Sequence, residues 1–196
     1  MDIFFEISFF ILGILFGFGA YRLVVLIVRR KRRSYPVTEI HVEKVEVDAI
    51  FNRLKEYCLK NPEVMLMLMV KNWKPTTQSL IMERYKELAK LGNPIGLHVH
   101  LAIFSEIDTL SFKKQKLLLD KGKRFLETEL NIKINDFTPG WWSFNEDTLK
   151  ATNEVGITNF HFHRIFEREM RLISDCGLTP VQVKNYLHDW NFVEGT

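Results

Sequence analysis

Apolar positions along this chain fall into three kinds of run. The first, residues 7–28, is one continuous apolar stretch broken by a single charge, Arg22. About 20 apolar residues cross a bilayer core of roughly 30 Å as a helix, so this run predicts a transmembrane span. From Val37 onward, short unbroken or alternating runs take turns with longer ones whose apolar residues recur at three and four, the signatures of strand and helix. Strands are predicted at Val37–Glu43, Val64–Val70, Ile95–Leu101, around Lys133–Phe137 and at Ile157–His163, with weaker β signals near Met170–Ser174 and Val183–His188. Helices are predicted over Val47–Leu59, Gln78–Leu91, Ser111–Leu130 and Asn145–Val155, the last ending at Gly156 in the position of a C-cap glycine. The continuity of Val64–Val70 argues for a strand buried on both faces. Strand and helix in alternation predict an α/β fold, a parallel sheet joined by right-handed crossovers and either closed as a barrel or left open.

Charge changes the picture at one place. Lys+Arg number 27 against 24 Asp+Glu, but Arg29, Arg30, Lys31, Arg32 and Arg33 form a single block, and without those five the remainder holds 22 basic against 24 acidic residues. The basicity therefore belongs to a membrane boundary, and no nucleic-acid partner is inferred from it. The chain reads as a transmembrane anchor with basic flank (1–33), a linker (34–36) and one soluble domain (37–196). A cleaved signal peptide would carry its positive charge before a shorter apolar core, whereas here Asp2 and Glu6 come first. The positive-inside rule places the basic flank, and the domain after it, in the cytoplasm of a single-pass membrane protein. Gly13 and Gly17 form a GxxxG pair that would permit a homodimer of membrane helices, against ordinary glycine usage in such helices. The two cysteines, Cys58 and Cys176, lack metal-ligand spacing and read as free thiols.

All six histidines fall at predicted strand ends or just after them. In parallel α/β architectures those ends form the active-site rim. Three runs alternate: His41-Val42-Glu43, His98-Val99-His100 and His161-Phe162-His163. Residues i and i+2 of a strand share a face, so each run aims two metal-competent groups the same way. Imidazole and carboxylate suit a borderline divalent cation, Zn²⁺ first, with Co²⁺, Ni²⁺ or Mn²⁺ as alternatives. Set against this, a lone histidine is more often a satisfied core or surface residue, a reading that weighs least on His98 and His100 and evenly on His161 and His163.

Several stretches together resemble the polysaccharide deacetylases of the NodB-homology, carbohydrate esterase family 4 type. Asn93-Pro94-Ile95-Gly96-Leu97-His98-Val99-His100 is similar to that family's "EIG-x-H" strand, and closest to relatives that read "GLHxHP". Met65 to Val70 and the helix through Glu83, Tyr85 and Leu88 resemble the "ATFFV" strand and the helix that follows it. Phe137-Thr138-Pro139-Gly140-Trp141-Trp142-Ser143 resembles the "FRPPYG" or "FRAGxW" loop, Gly156-Ile157 the "lGf" that follows, and Tyr186-Leu187-His188-Asp189-Trp190 the closing "LHD" strand. The resemblance covers Val37 to Phe192 and implies a distorted or incomplete (β/α) barrel. It also implies a metal-dependent hydrolase that removes N- or O-acetyl groups from a carbohydrate, which the apolar run at residues 7–28 would anchor to a membrane. The chain departs from the family where the "TFDD" pair is replaced by Ile40-His41-Val42-Glu43, where Ala102 stands at the second histidine of H-[ST]-x-x-H, and where Thr138 stands at the arginine.

Transferred residue by residue, the resemblance implies metal ligands Glu43, His98 and His100, His41 as base and His188 as acid. The sugar would lie on Trp141 and Trp142, for which core packing is the even alternative, with Pro139 and Gly140 shaping the oxyanion loop. His161 and His163 are additional candidates. Asp189, beside His188, is set aside because neighbours on a strand face opposite ways. Two other readings remain: a catalytically inactive deacetylase-fold protein that binds glycans or acts as a scaffold, and a PHP or amidohydrolase-like metal phosphoesterase using His98-Val99-His100.

Overall fold

The computed structural model describes residues 37–71, 74–100 and 106–192. The predicted anchor, its basic flank, the Gly13/Gly17 pair and the linker lie outside the described residues. Among the described residues no helix is long and apolar enough to cross a membrane.

Six strands, β1 (Val37–Val42), β2 (Met65–Met69), β3 (Ile95–Val99), β4 (Asp136–Pro139), β5 (Asn159–Phe162) and β6 (Thr179–His188), pair in parallel and in chain order, and β6 returns to β1 to close a barrel. The crossovers are α1 (Asp48–Lys60), α2 (Pro75–Ala89), α3 (Phe112–Leu130), α4 (Glu146–Glu154) and α5 (Glu167–Asp175). Each helix seats a narrow stripe on the barrel: α1 buries Ile50, Phe51, Leu54 and Cys58, and α3 buries Gln115, Leu119, Gly122 and Leu126, spaced at three and four. α4 opens on a reciprocal cap, the Asn145 side chain accepting from the Thr148 N–H and the Thr148 hydroxyl accepting from the Asn145 N–H.

Strand alternation divides the interior into two chemically different regions. Ile40, Val42, Leu66, Leu68, Leu97, Val99, Phe137, Phe160 and Phe162 point outward into one apolar core beneath the helices. Their neighbours Glu39, His41, Met67, Gly96, His98, Thr138 and His161 are buried as well, yet lie outside that core. They fill the barrel lumen, which is tight enough that a Cβ on Gly96 would stand 2.6 Å from Met67 Sδ and 3.0 Å from Asp136 Cβ.

Two expectations need correction. The weak β signal at Met170–Ser174 belongs to α5: its apolar residues mimic alternation over a window too short to separate the two periods, and Glu167 and Glu169 in the first turn favour the helix. Of the closed and open sheets that the alternation allowed, the structure has the closed one, a barrel of six strands. Strand β4 begins later than Lys133, because Ile134 N–H is taken by the Glu127 carboxylate of α3 before the ladder starts.

Candidate active site

At the C-terminal end of the barrel, β1, β3 and β6 bring their histidines and one carboxylate together. Glu43 Oε1 lies 3.4 Å from His98 Nε2, 3.6 Å from His100 Nε2 and 3.2 Å from His188 Nδ1. Glu43, His98 and His100 each present a ligand atom within 4.8 Å of the others, and His41, Glu43 and His188 form a second such group sharing the same carboxylate. These are the sequence-nominated ligands and acid-base residues, brought onto one rim although they come from strands far apart in sequence.

His98 supplies the test of whether a cation fits. Its Nδ1–H donates to the Thr138 carbonyl at 3.0 Å, which fixes the tautomer and leaves Nε2 as a lone-pair donor. That Nε2 is fully buried and has no hydrogen-bond partner. A buried nitrogen without a partner is costly unless something fills the position, and the adjacent carboxylate and second imidazole make the donor set that of a zinc-type site. The protonation states agree. Burial holds His98 below the usual imidazole value and pushes His100 down to about 4. Burial opposes ionisation of Glu43, but the hydrogen bond from His188 and the neighbouring imidazoles of His98 and His100 prevail and hold its carboxyl well below the usual range. Neutral imidazoles beside an ionised carboxylate are what cation binding requires.

The rim opens into a cavity of about 350 Å³ lined by His41, Glu43, His100, His188, Trp141, Trp142, Tyr186 and Trp190, with Lys44, Lys71 and Met69. Trp141 is 68% exposed. Trp142 packs against the rings of His41, His163 and Tyr186 at 5.3, 5.7 and 5.3 Å. Both tryptophans hold left-handed backbone angles, φ of 50° and 60°, a strained state in non-glycine residues that persists only where the surroundings impose it. His188 stacks flat on Trp190, centroids 4.0 Å apart. Pro139 and Gly140 are buried behind this wall instead of lining it. A Cβ on Gly140 would stand 2.5 Å from His100 Nδ1 and 2.9 Å from the Val99 carbonyl oxygen. Gly140→Ala is therefore expected to displace His100 and weaken Zn²⁺ binding by roughly the 10–100-fold typical of disturbed ligand support. Isothermal titration reads this, and unchanged affinity would show that the loop yields elsewhere.

No family profile matches the chain, and no curated protein matches it. Solved structures do. A CE4 family pseudoenzyme from Bacillus anthracis superposes with a TM-score of 0.56 at 16% identity, covering 80% of this chain and 55% of that one. A mutant of the same protein with restored enzymatic activity gives 0.56 at 15%, covering 80% and 57%. A deacetylase from Streptococcus pyogenes in complex with acetate gives 0.53 at 12%, covering 80% and 67%. The barrel is a polysaccharide deacetylase fold. This chain spans a little over half the length of the pseudoenzyme.

Within this deacetylase fold, the remaining histidines sit away from the cluster around Glu43. His163 donates from Nδ1 to the Val183 carbonyl at 3.0 Å and packs among Trp142 and Tyr186. His161 lies in the lumen, Nδ1 at 2.9 Å from Glu39 Oε2 and Nε2 at 2.9 Å from Asp136 Oδ1. Neither belongs to a ligand group among the described residues. His41 joins the rim to this lumen network, its Nε2 standing 2.7 Å from Glu39 Oε1.

Sequence reasoning overlooked three contributors to the site and had no motif to single out Asp136 among the possible aspartates. Glu39 and Asp136 are lumen residues, and the two-residue step back from His41 was the available signal for Glu39. Tyr186 and Trp190 line the cavity, both lying inside the "LHD" stretch. Asp189, set aside on strand alternation, is not on the strand: it starts a 3-10 turn (Asp189–Phe192), is fully buried, and accepts the N–H groups of Glu43 and Lys44 at 2.9 and 2.6 Å. It thereby sets the backbone that carries Glu43. Burial raises its carboxyl to about 6 despite those two donors.

Proposed function

We propose that this chain is a metal-dependent hydrolase that removes N- or O-acetyl groups from a carbohydrate, held at a membrane by residues 7–28. The observation that carries the reading is the unpartnered, buried Nε2 of His98 facing Glu43 and His100 at the rim of a deacetylase fold. Glu43, His98 and His100 would hold a divalent cation, which when bound supplies Lewis acidity toward an acyl oxygen and lowers the pKa of water. His41, its Nε2 committed to Glu39, keeps Nδ1 to take a proton from the attacking water. His188, its Nδ1 on Glu43, would donate from Nε2 to the departing amine or alkoxide. Trp141, Trp142 and Tyr186 offer aromatic faces to the C–H side of a sugar ring.

A second reading, a glycan-binding protein on an inactive deacetylase fold, is favoured by one observation. Thr138 and the His41/Glu43 pair replace the arginine and Asp pair that the resemblance leads one to expect, and a pseudoenzyme is among the structural neighbours. Elemental analysis of the purified full chain, beside a His98→Ala, His100→Ala double variant, separates the two. One tightly held ion, lost in the double variant, together with acetate release from N- or O-acetylated oligosaccharides supports the hydrolase. No bound metal after addition of Zn²⁺, Co²⁺, Ni²⁺ or Mn²⁺ overturns it. Metal without acetate release overturns the reaction and leaves the site.

A further inference from the structure

The lumen holds a second constellation that the hydrolytic reading does not use: Glu39, Asp136 and His161, with Thr138 and Asn159 around them. We infer that Glu39 is a positioning residue for His41, and that His161, bonded through both ring nitrogens to carboxylates, is the buried cation that holds Glu39 in place. The inference rests on the reading of His41 as the base, and it concerns how that base is set.

Counting donors and acceptors leads to it. An ionised carboxylate only accepts hydrogen bonds. His161 Nδ1 lies 2.9 Å from Glu39 Oε2 and Nε2 lies 2.9 Å from Asp136 Oδ1, so both nitrogens must carry a proton for both contacts to be hydrogen bonds. The same Asp136 oxygen also accepts from the Asn159 amide at 2.9 Å, which leaves it an acceptor. Glu39 Oε1 receives His41 Nε2–H at 2.7 Å, and the Thr138 hydroxyl lies 3.2 and 3.3 Å from the two Glu39 oxygens. A fully buried carboxylate with three donors stays ionised. Burial alone would lower the His161 pKa, but Asp136 and Glu39 override it and hold it at about 9, while His161 and His41 override burial at Glu39 and bring it to about 2.

Each Glu39 oxygen thus serves a different ring. Oε2 is occupied by His161, so Oε1 is the one available to His41, and it turns the Nε2–H of His41 into the lumen and Nδ1 toward the rim. An imidazole with one nitrogen tied to a carboxylate is held in one orientation, as in a hydrolytic triad. His161 supplies the charge that lets a wholly buried carboxylate sit in the lumen. The groups facing His161 are Glu39 from β1 and Asp136 from β4. Those facing His41 are Glu39 and Glu43 from its own strand and its extension, His98 from β3, and Tyr186 and His188 from β6.

Long-range ¹H–¹⁵N spectra of the full chain, ¹⁵N-labelled at histidine and held at pH 7, test the inference. His161 is expected to show two protonated nitrogens and His41 a proton on Nε2, each assigned from single His→Gln variants. A singly protonated His161, or a His41 with no proton on Nε2, overturns it. In Glu39→Gln, a carboxamide places an NH₂ against one of two N–H groups, so one ring must lose a proton or change tautomer. A residue that merely filled the lumen would leave both rings unchanged. If Glu39→Gln does not fold, the native spectrum alone decides. The spectrum reads ring protons rather than turnover, so a failure to release acetate leaves this result standing, and a wrong tautomer overturns it even in an active enzyme.

Discussion

Glu43→Gln abolishes cation binding at the rim while the barrel stays folded: this is the expected result, and it is the largest effect foreseen on the site. Glu43 is the only carboxylate in either ligand group, and both groups depend on it. Its Oε1 stands 3.2 to 3.6 Å from three imidazole nitrogens. A carboxamide removes the negative charge and presents either a weaker oxygen donor or an NH₂ that cannot ligate. The loss of Zn²⁺ affinity should exceed the roughly 10–100-fold typical of removing an outer support, since a ligand itself is lost. Titration calorimetry of the variant against the native chain measures it. Native-like affinity in Glu43→Gln would show that His41 or His188 completes the site instead.

His161→Leu is expected to cause the largest loss of stability. Removing one partner of a buried charge cluster leaves the others uncompensated, which costs about 3–5 kcal/mol. Here Glu39, wholly buried, would retain only His41 and Thr138, and Asp136 only Asn159. Denaturant unfolding reads the difference, and a loss below about 1 kcal/mol would mean that the lumen is hydrated or that its charges are already neutralised.

The same cluster shapes stability with pH. His161, raised from 6.5 to about 9, contributes stability that is complete below 6.5 and lost as pH rises through 9. Glu39, lowered from 4.5 to about 2, contributes stability that is complete above 4.5 and lost as pH falls toward 2. The share of this cluster should therefore be complete from about 4.5 to 6.5 and decline on both sides, and thermal denaturation should show the alkaline decline reduced in His161→Leu. An alkaline limb unchanged by the substitution would assign it to another group.

The parallel barrel was legible because its strands and helices have different periods and alternate in the sequence as far as β5, and because Val64–Val70 and Ile95–Leu101 are apolar runs of strand length; only α5 escaped the reading. The histidine–carboxylate cluster at the rim was legible for the same reason that alternation works: His41 and Glu43, like His98 and His100, are two apart. What the sequence hid is set by the third dimension. Asp136 and His161 meet only because β4 and β5 are neighbours in the barrel, and nothing near either residue announces the other. Asp189 was misjudged because the rule for strand neighbours was applied one residue past the point where β6 becomes a turn. The HxH run at His161 resembled the one at His98, but β5 ends at Phe162, so its first histidine faces the lumen and its second is left among aromatic rings.

The crowding around Gly96 bears on what can reach the site. Met67, Asp136 and the Glu39–His161 pair fill the barrel beyond the rim, so the lumen is a floor and not a tunnel. Among the described residues, whatever binds at Glu43 therefore enters and leaves from the rim side. A long polymer would have to lie across that rim, exposing units from its middle as readily as from its ends, and no chain end would have to be threaded.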